Sequence, residues 1–203
     1  MSITDVILAV EDELSEAIST QILSEFDIEI RYTIRGKGNV LLRQKAPELN
    51  RAANAIDVFL LTDLDSPQDC PPGLIYSWIK APLNPRFLFR VAVMEVESWV
   101  MADRVGFSKF LSIPSHRIPS PTDNILNPKE FLVSLARRSQ KKRIREALVP
   151  TRGTNLTVGI EYNILLSEFV QDHWDLQRAA SVSPSLKRTL DRLSQEKAVN
   201  ADQ

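Results

Sequence analysis

The feature that most constrains the fold is an alternation of short apolar runs with segments of helical periodicity. The run DVILAV (Asp5–Val10) is apolar almost throughout and rich in β-branched residues, which is typical of a central strand covered on both faces. From Leu14 to Phe26 the apolar residues recur at helical spacing. IEIRYTI (28–34), DVFLLTD (57–63) and RFLFRVAVM (86–94) predict three further strands, separated by helical segments. This order predicts an α/β fold with a parallel sheet and flanking helices.

The second half of the chain is predicted to be helical, because no strand pattern follows residue 105. We predict one long helix over 127–148, and further helices within 158–174 and 183–195. In the first half, the helix after Gly38 is predicted to be interrupted near Pro47. The expected organisation is an α/β domain (1–105), a helical extension packed on it (106–197) and a frayed tail (198–203). Three tryptophans in apolar helical patterns are expected in the core: Trp78, Trp99 and Trp174.

Composition restricts the class of protein. Apolar residues make up 43% of the chain, which is enough for a substantial core. No apolar run reaches the ~18 residues of a membrane-spanning helix, and the N-terminus lacks the pattern of a signal peptide. The single cysteine, Cys70, cannot form an internal disulfide. These features predict a cytoplasmic protein that does not enter a membrane.

Acidic side chains follow three of the predicted strands. Glu11 follows the first strand, Asp63 and Asp65 end the third, and the fourth runs into Glu95 and Glu97. In parallel sheets the carboxyl ends of the strands lie at one edge, where ligands bind. Taken singly, each acid could be a turn residue or a helix cap. Their convergence favours a cation site, and all-oxygen ligation suits Mg²⁺ or Mn²⁺.

The spacing of Asp63 and Asp65 adds to this prediction. Two residues separated by one point the same way on an extended chain. The two carboxylates could then share one metal ion or hold two. Glu95 and Glu97 share a face on a strand and diverge on a helix, so spacing alone does not choose between them.

Charge is segregated along the chain although the net charge is only −1. Residues 1–30 contain eight acids and no lysine or arginine, whereas 137–145 contains six bases and no acid. Such a run is either a solvated helix face or a surface that binds the phosphate backbone of a nucleic acid, and both interpretations stay open. The candidate nucleic-acid-binding residues are Lys37, Arg137, Arg138, Lys141, Lys142, Arg143 and Arg145.

Two segments resemble a TOPRIM domain, the fold found in topoisomerases, primases and overcoming-lysogenization-defect nucleases. They are AVEDELSEAI, which contains Glu11, and LLTDLDS, which contains Asp63 and Asp65. Nearly the whole chain is similar to a small bacterial TOPRIM-like family, often encoded beside an ABC- or SMC-like ATPase. The similarity is carried by DLDSPQDCPPGLI, RVAVMEVESWVMADR, ARRSQKKRIREALVP and the segment from Tyr162 to Leu193.

The resemblance implies a TOPRIM- or Rossmann-like sheet that binds Mg²⁺ (or Mn²⁺) through Glu11, Asp63 and Asp65. Glu95 or Glu97 would complete the shell, with Glu97 favoured because it opens the segment leading into Trp99. The implied activity is a metal-dependent nuclease, with Glu11, Asp63, Asp65 and Glu97 as its catalytic residues. It would serve anti-phage defence or DNA maintenance together with an ATPase partner, and DNA is favoured over RNA as substrate.

Two other functions are weighed against the nuclease. The chain could be a non-catalytic docking or regulatory subunit of an ATPase complex, with the basic residues contacting the partner or its nucleic acid. A response-regulator-like phosphoacceptor is disfavoured, because RVAVMEVE offers no lysine at the strand end. The oligomeric state, a homo-oligomer included, and the trigger of activity stay open.

Overall fold

The sheet has the predicted parallel arrangement. The computed structural model describes residues 3–198, and within them the strands are β1 (Asp5–Val10), β2 (Glu29–Arg35), β3 (Val58–Asp63) and β4 (Phe87–Ala92). Their order is β2-β1-β3-β4, and every neighbouring pair is parallel. The predicted α/β class is therefore confirmed.

Helices connect the strands and make up the regular structure after β4. The first three are α1 (Glu13–Glu25), α2 (Asn39–Ala52) and α3 (Pro71–Trp78). After β4 come α4 (Glu97–Ala102), α5 (Arg104–Leu111), α6 (Pro128–Ala136), α7 (Lys142–Leu148), α8 (Tyr162–Asp172), α9 (Leu176–Ala180) and α10 (Pro184–Ala198). The described part of the chain beyond Ala92 contains no strand, which confirms the predicted helical C-terminal portion.

Alternation along the strands divides the core into two layers. Leu8 belongs to a large cluster that continues through Trp99 and Phe169 to Leu186, whereas its neighbour Ala9 belongs to a second cluster under α2 and α3. The C-terminal helices therefore share one continuous hydrophobic core with the sheet. The three tryptophans expected in the core are all buried, as predicted.

Trp99 illustrates how the helices that follow β4 are held to one another. Its ring is completely buried, its indole N–H donates to Ser185 Oγ at 2.7 Å, and its carbonyl oxygen accepts from Trp174 Nε1 at 3.3 Å. A buried indole N–H normally needs such a partner. These bonds tie α4 to the start of α10 and to Trp174, in the segment between α8 and α9.

The predicted interruption at Pro47 is wrong, because α2 continues through it from Asn39 to Ala52. Proline removes one backbone donor from the helix interior. The neighbouring residues Leu42, Ala46 and Leu49 are buried in the second core cluster, and we attribute the continuity of the helix to this packing.

The single long helix predicted over 127–148 is also wrong, because the chain leaves the helix after Ala136 and re-enters it at Lys142. Buried Ser139 organises the break. Its hydroxyl accepts from the Lys141 backbone N–H at 3.1 Å, and its carbonyl accepts from the Arg145 guanidinium. The Lys141 ammonium donates to the carbonyl of Phe110 at 3.0 Å, at the C-terminal end of α5. Contacts distant in sequence therefore override the local helical pattern.

Helix α10 extends to Ala198, and the rest of the tail predicted to fray, 199–203, lies outside the described residues. None of the helices described in 3–198 combines the length and apolarity that crossing a membrane requires.

Candidate functional site

The carboxyl ends of β1, β3 and β4 lie side by side at one edge of the sheet. Backbone pairing between the segments that follow β3 and β4 continues past the two strands. The Leu64 N–H donates to the Ala92 carbonyl and the Asp65 N–H to the Met94 carbonyl, each at 3.0 Å. The acids that follow these strands are therefore brought together. We call Glu11, Asp63, Asp65, Glu95 and Glu97 the rim acids.

Two rim acids link neighbouring elements. Glu11 Oε1 accepts from the Thr62 hydroxyl and from the Asp63 backbone N–H at 3.1 Å, so it spans from β1 to β3. Asp63 is buried, and its Oδ1 accepts from the Val96 N–H at 2.9 Å, at the entrance to α4. These bonds order the sheet edge and fix the positions of both carboxylates.

Asp65 does not follow the predicted extended geometry. Its φ is 57°, and Met94, whose carbonyl accepts its N–H, has φ 65°. Both are in the left-handed region, where residues other than glycine are uncommon and where strain concentrates at functional sites. The Asp65 side chain is exposed, and Asn39 Nδ2 donates to it at 3.3 Å. The extended backbone predicted at Asp65 is therefore wrong, and the two acids differ in burial, since Asp63 is buried and Asp65 is exposed.

Glu95 and Glu97 both meet Lys129, which lies in the first turn of α6. The Lys129 backbone N–H donates to Glu95 Oε2 at 2.7 Å, and its ammonium lies 3.8 Å from Glu95 Oε1 and 3.5 Å from Glu97 Oε1. The Tyr162 hydroxyl donates to Glu97 Oε1 at 3.1 Å. The other oxygen, Glu97 Oε2, is buried without a hydrogen-bond partner in the described chain.

Burial makes the two innermost rim acids hard to ionise. Glu97 is only 1% exposed, and this burial raises its pKa to about 7; Lys129 opposes the rise and Glu95 adds to it. Burial likewise raises the pKa of Asp63 well above its usual value, with further increases from Glu97 and Glu11. The stability of the folded protein therefore depends on how the negative charge of these two carboxyls is neutralised.

Burial and the neighbouring acids also shift the pKa values of three other groups at this edge. Burial raises the pKa of Glu11, although its bonds from Thr62 and the Asp63 N–H act in the opposite direction. Burial and the nearby Glu97 raise the pKa of Tyr162, which keeps its phenol protonated as a donor. Burial would lower the pKa of Lys129, but Glu97 and Glu95 outweigh it and raise that pKa above its normal value. Lys129 is therefore a permanent cation of the cluster.

Sequence patterns did not identify Lys129 or Tyr162. A lysine in the first turn of a helix opposes the helix dipole, and this was the available signal for Lys129. Its position is explained by the two glutamates that surround it. Tyr162 is the first residue of α8 and gave no comparable signal.

The rim acids supply the type of ligand that a hard divalent cation prefers, but Lys129 occupies part of their surroundings. All rim acids offer carboxylate oxygens, and Glu97 Oε2 is a buried oxygen without a partner in the described chain, as a metal ligand would be. Within residues 3–198, however, no group of three or more acidic, histidine or cysteine side chains stands ready to hold a metal ion. Lys129 contacts both glutamates instead, so a cation at Glu95 and Glu97 would compete with its ammonium.

Lys37 lies at the same edge, as its place after a parallel strand implies. It follows β2 in an exposed turn, and the neighbouring Gly36 donates to the Val10 carbonyl at 2.8 Å, one residue before Glu11. A cationic side chain at this position could contact a phosphate that approaches the rim.

The predicted basic helix is not a uniform charged face. Arg137 and Arg138 are exposed in the break between α6 and α7, and no acid pairs with them in residues 3–198. Lys142 pairs with Glu146 at 3.5 Å within α7, and Arg143 pairs with Glu168 of α8 at 3.3 Å, so two of the six charges are compensated. Two more, Lys141 and Arg145, donate to backbone carbonyls. The six bases therefore do not lie on one helix, and four of them already make contacts within the described chain.

The remaining source of information is similarity to known proteins. Searches of protein-family models, curated proteins and solved structures find no match to this chain. The TOPRIM resemblance therefore stays a prediction, and the candidate function depends on the geometry and charge of the rim acids.

Proposed function

We propose that the rim acids are the active site of a Mg²⁺-dependent nucleic-acid phosphodiesterase. The supporting observation is the concentration of buried carboxylate at the carboxyl edge of a parallel sheet. Asp63 and Glu97 are both buried, and the cation that contacts the Glu95–Glu97 pair in the described chain is a single lysine, Lys129. Strongly shifted carboxylates of this kind are enriched at functional sites.

In this proposal the rim acids hold the cation through their oxygens. A bound divalent ion would neutralise phosphate charge and increase the acidity of a water molecule. The chain itself supplies the positions of the ligands: Glu11 is oriented by Thr62, and Asp63 by the backbone N–H of Val96. Lys37 at the edge would contact the phosphate that is cleaved.

The exposed pair Arg137 and Arg138 would contact the nucleic-acid backbone, since these two arginines have no acidic partner in the described chain. We extend the proposal to an ATPase partner and a role in defence or DNA maintenance on the TOPRIM resemblance.

The direct test is cleavage of end-labelled single- and double-stranded DNA and RNA by the purified chain, with Mg²⁺ or Mn²⁺. Asp63→Asn and Glu11→Gln preserve side-chain shape and remove charge, and each should lower the cleavage rate at least about 100-fold. Glu48→Gln, at an exposed position of α2, is the matched control and should cleave like the wild type. If the wild type cleaves no faster than Asp63→Asn, the chain alone is not this nuclease.

A second candidate is a non-catalytic subunit that docks on an ATPase. The observation that favours it is the internal pairing of Lys129 with Glu95 and Glu97, together with the absence of a ready metal-ligating group in residues 3–198. The cluster would then be a structural ion network. Titration with Mn²⁺ distinguishes the two candidates: the nuclease requires binding that Asp63→Asn weakens, whereas the docking subunit requires partner binding that survives this substitution.

A further inference from the structure

Arg90 is a partly buried charge without a carboxylate partner. It lies within β4, the outer strand next to β3, and its guanidinium Nε donates to the carbonyl oxygen of Phe89 at 3.0 Å. No acidic side chain pairs with it in residues 3–198. Arginine is seldom removed from water without an ion pair, so an unpaired one in this position is a candidate for ligand binding.

The charged groups around Arg90 are also positive. Arg188 and Arg192 of α10 both lie close enough to lower the pKa of Arg90, in addition to the larger effect of burial. Arg192 is paired with Glu196 one turn away. Arg188 is exposed, and no carboxylate in the described chain pairs with it. Two guanidinium groups on this face therefore lack an acidic partner.

These two arginines line one cavity. Its volume is 310 Å³, and its wall also contains Ser185, Thr189 and Val91, with Pro71, Pro72 and Ile75 from the first two turns of α3. The hydroxyls of Ser185 and Thr189 already bond inside the protein, to Trp99 Nε1 and to the Ser185 carbonyl. The guanidinium groups are therefore the donors left for a ligand, and they share the cavity with an apolar surface.

We propose that this cavity binds a small phosphate-bearing molecule, with its phosphate on Arg90 and Arg188 and its apolar part against Pro71, Pro72 and Ile75. Guanidinium groups bind phosphate through paired, charge-assisted hydrogen bonds, and two of them suit a doubly charged anion. The volume is at the lower end of the range of small-molecule sites, which favours a molecule of nucleotide size over a polymer. None of the rim acids lines the cavity, so the proposal does not depend on nuclease activity.

The test is calorimetric titration of the full chain in metal-free buffer at constant ionic strength. The probes are inorganic pyrophosphate, adenosine diphosphate and adenosine. We expect the diphosphate to bind more tightly than pyrophosphate, because it adds apolar contact, and adenosine to give no measurable heat. Arg188→Gln and Arg90→Gln should each weaken binding about 10-fold or more. Arg43→Gln, which removes the same charge from an exposed position of α2, should bind like the wild type.

Three outcomes would overturn the proposal. One is the absence of heat with both phosphate probes. Another is an equal loss in Arg43→Gln, which would mean general attraction to positive charge. The third is tighter binding of a glutamate-rich peptide than of adenosine diphosphate, which would assign the cavity to an acidic protein segment. If Arg90→Gln does not fold, Arg188→Gln decides, because its exposed side chain makes no described contact that folding requires.

Discussion

Replacing Glu97 with glutamine should stabilise the protein at pH 8, although it removes a group that contacts Lys129 and Tyr162. The pKa of this carboxyl is about 7 in the folded protein, compared with 4.5 when it is solvated. Between these two values the folded state holds a proton that the unfolded state has released. Stability therefore falls as pH rises from 4.5 to about 7 and is then constant as far as Glu97 is concerned.

The magnitude follows from the difference between the two pKa values. At about 1.4 kcal/mol per pH unit, ionisation of Glu97 costs the folded protein roughly 3 kcal/mol by pH 8. Glutamine keeps an oxygen that accepts from Tyr162 and removes the buried charge, so Glu97→Gln should recover most of this free energy. An unfolding entropy of about 0.4 kcal/mol/K for a chain of this size converts it to a Tm increase of about 7 °C.

The measurement is urea and thermal unfolding of wild type and Glu97→Gln from pH 4.5 to 8.5, in the presence of a chelator. The two proteins should be nearly equal in stability at pH 4.5 and should diverge up to pH 7. Glu48→Gln, which changes an exposed acid of α2, should run parallel to the wild type over the whole range.

Two results would refute the reasoning. If Glu97→Gln is less stable than wild type at pH 8, the contact with Lys129 outweighs the cost of burial. If the two curves are parallel from pH 4.5 to 8.5, Glu97 does not titrate in this window. Repeating the pH 8 measurement with Mg²⁺ distinguishes metal binding by Glu97 from the cost of burying its charge, because a bound cation should stabilise the wild type more than Glu97→Gln.

Three further substitutions test other parts of the structure. Lys129→Met should destabilise the protein by roughly 3 kcal/mol at pH 8 and by less at pH 5, where its partner Glu97 holds a proton; equal losses in urea unfolding at the two pH values would contradict this coupling. Arg178→Gln removes the guanidinium that contacts completely buried Asp103, and because this arginine is half exposed we expect a loss of roughly 2 kcal/mol at pH 7. Contact with the guanidinium lowers the pKa of Asp103, so this loss should diminish as pH falls below 4, and a pH-independent loss would contradict it. Gly159→Ala places a Cβ 2.0 Å from the Ala147 carbonyl oxygen and should cost at least about 2 kcal/mol in urea unfolding, whereas an unchanged midpoint would mean that the backbone there moves freely.

The sheet and its order of elements were predictable because the relevant signals are local. A strand buried on both faces, such as Val58–Asp63, is a continuous apolar run, and a connecting helix shows helical spacing. The break at Ser139 was not predictable in this way. It is held by bonds within the turn and by the contact of Lys141 with Phe110, and the second of these joins parts of the chain too distant for a local pattern to record.

In the candidate site, too, some features were predictable from local patterns and others depend on contacts distant in sequence. Parallel topology alone brings Glu11, Asp63 and the Glu95–Glu97 segment to one edge, so their convergence could be predicted from strand ends. The left-handed backbone of Asp65 depends on the hydrogen bond to Met94 and could not be deduced from alternation. Lys129 is 34 residues from Glu95, and the pair forms because α6 packs on α4.

The cluster has three ways to neutralise its charge, and they are not equivalent. Protonation of Glu97 is available only near or below pH 7, and the Lys129 ammonium compensates one negative charge at any physiological pH. Above pH 7 the ionised Glu97 adds a buried negative charge beside the single Lys129 ammonium, which also contacts Glu95. In the proposed metal site, a divalent cation would neutralise the Glu97 charge and would also give a partner to Glu97 Oε2, which has none in the described chain. We therefore expect the proposed cation site to bind Mg²⁺ or Mn²⁺ more tightly above pH 7 than below it, because Glu97 gives up its proton as the pH rises through about 7.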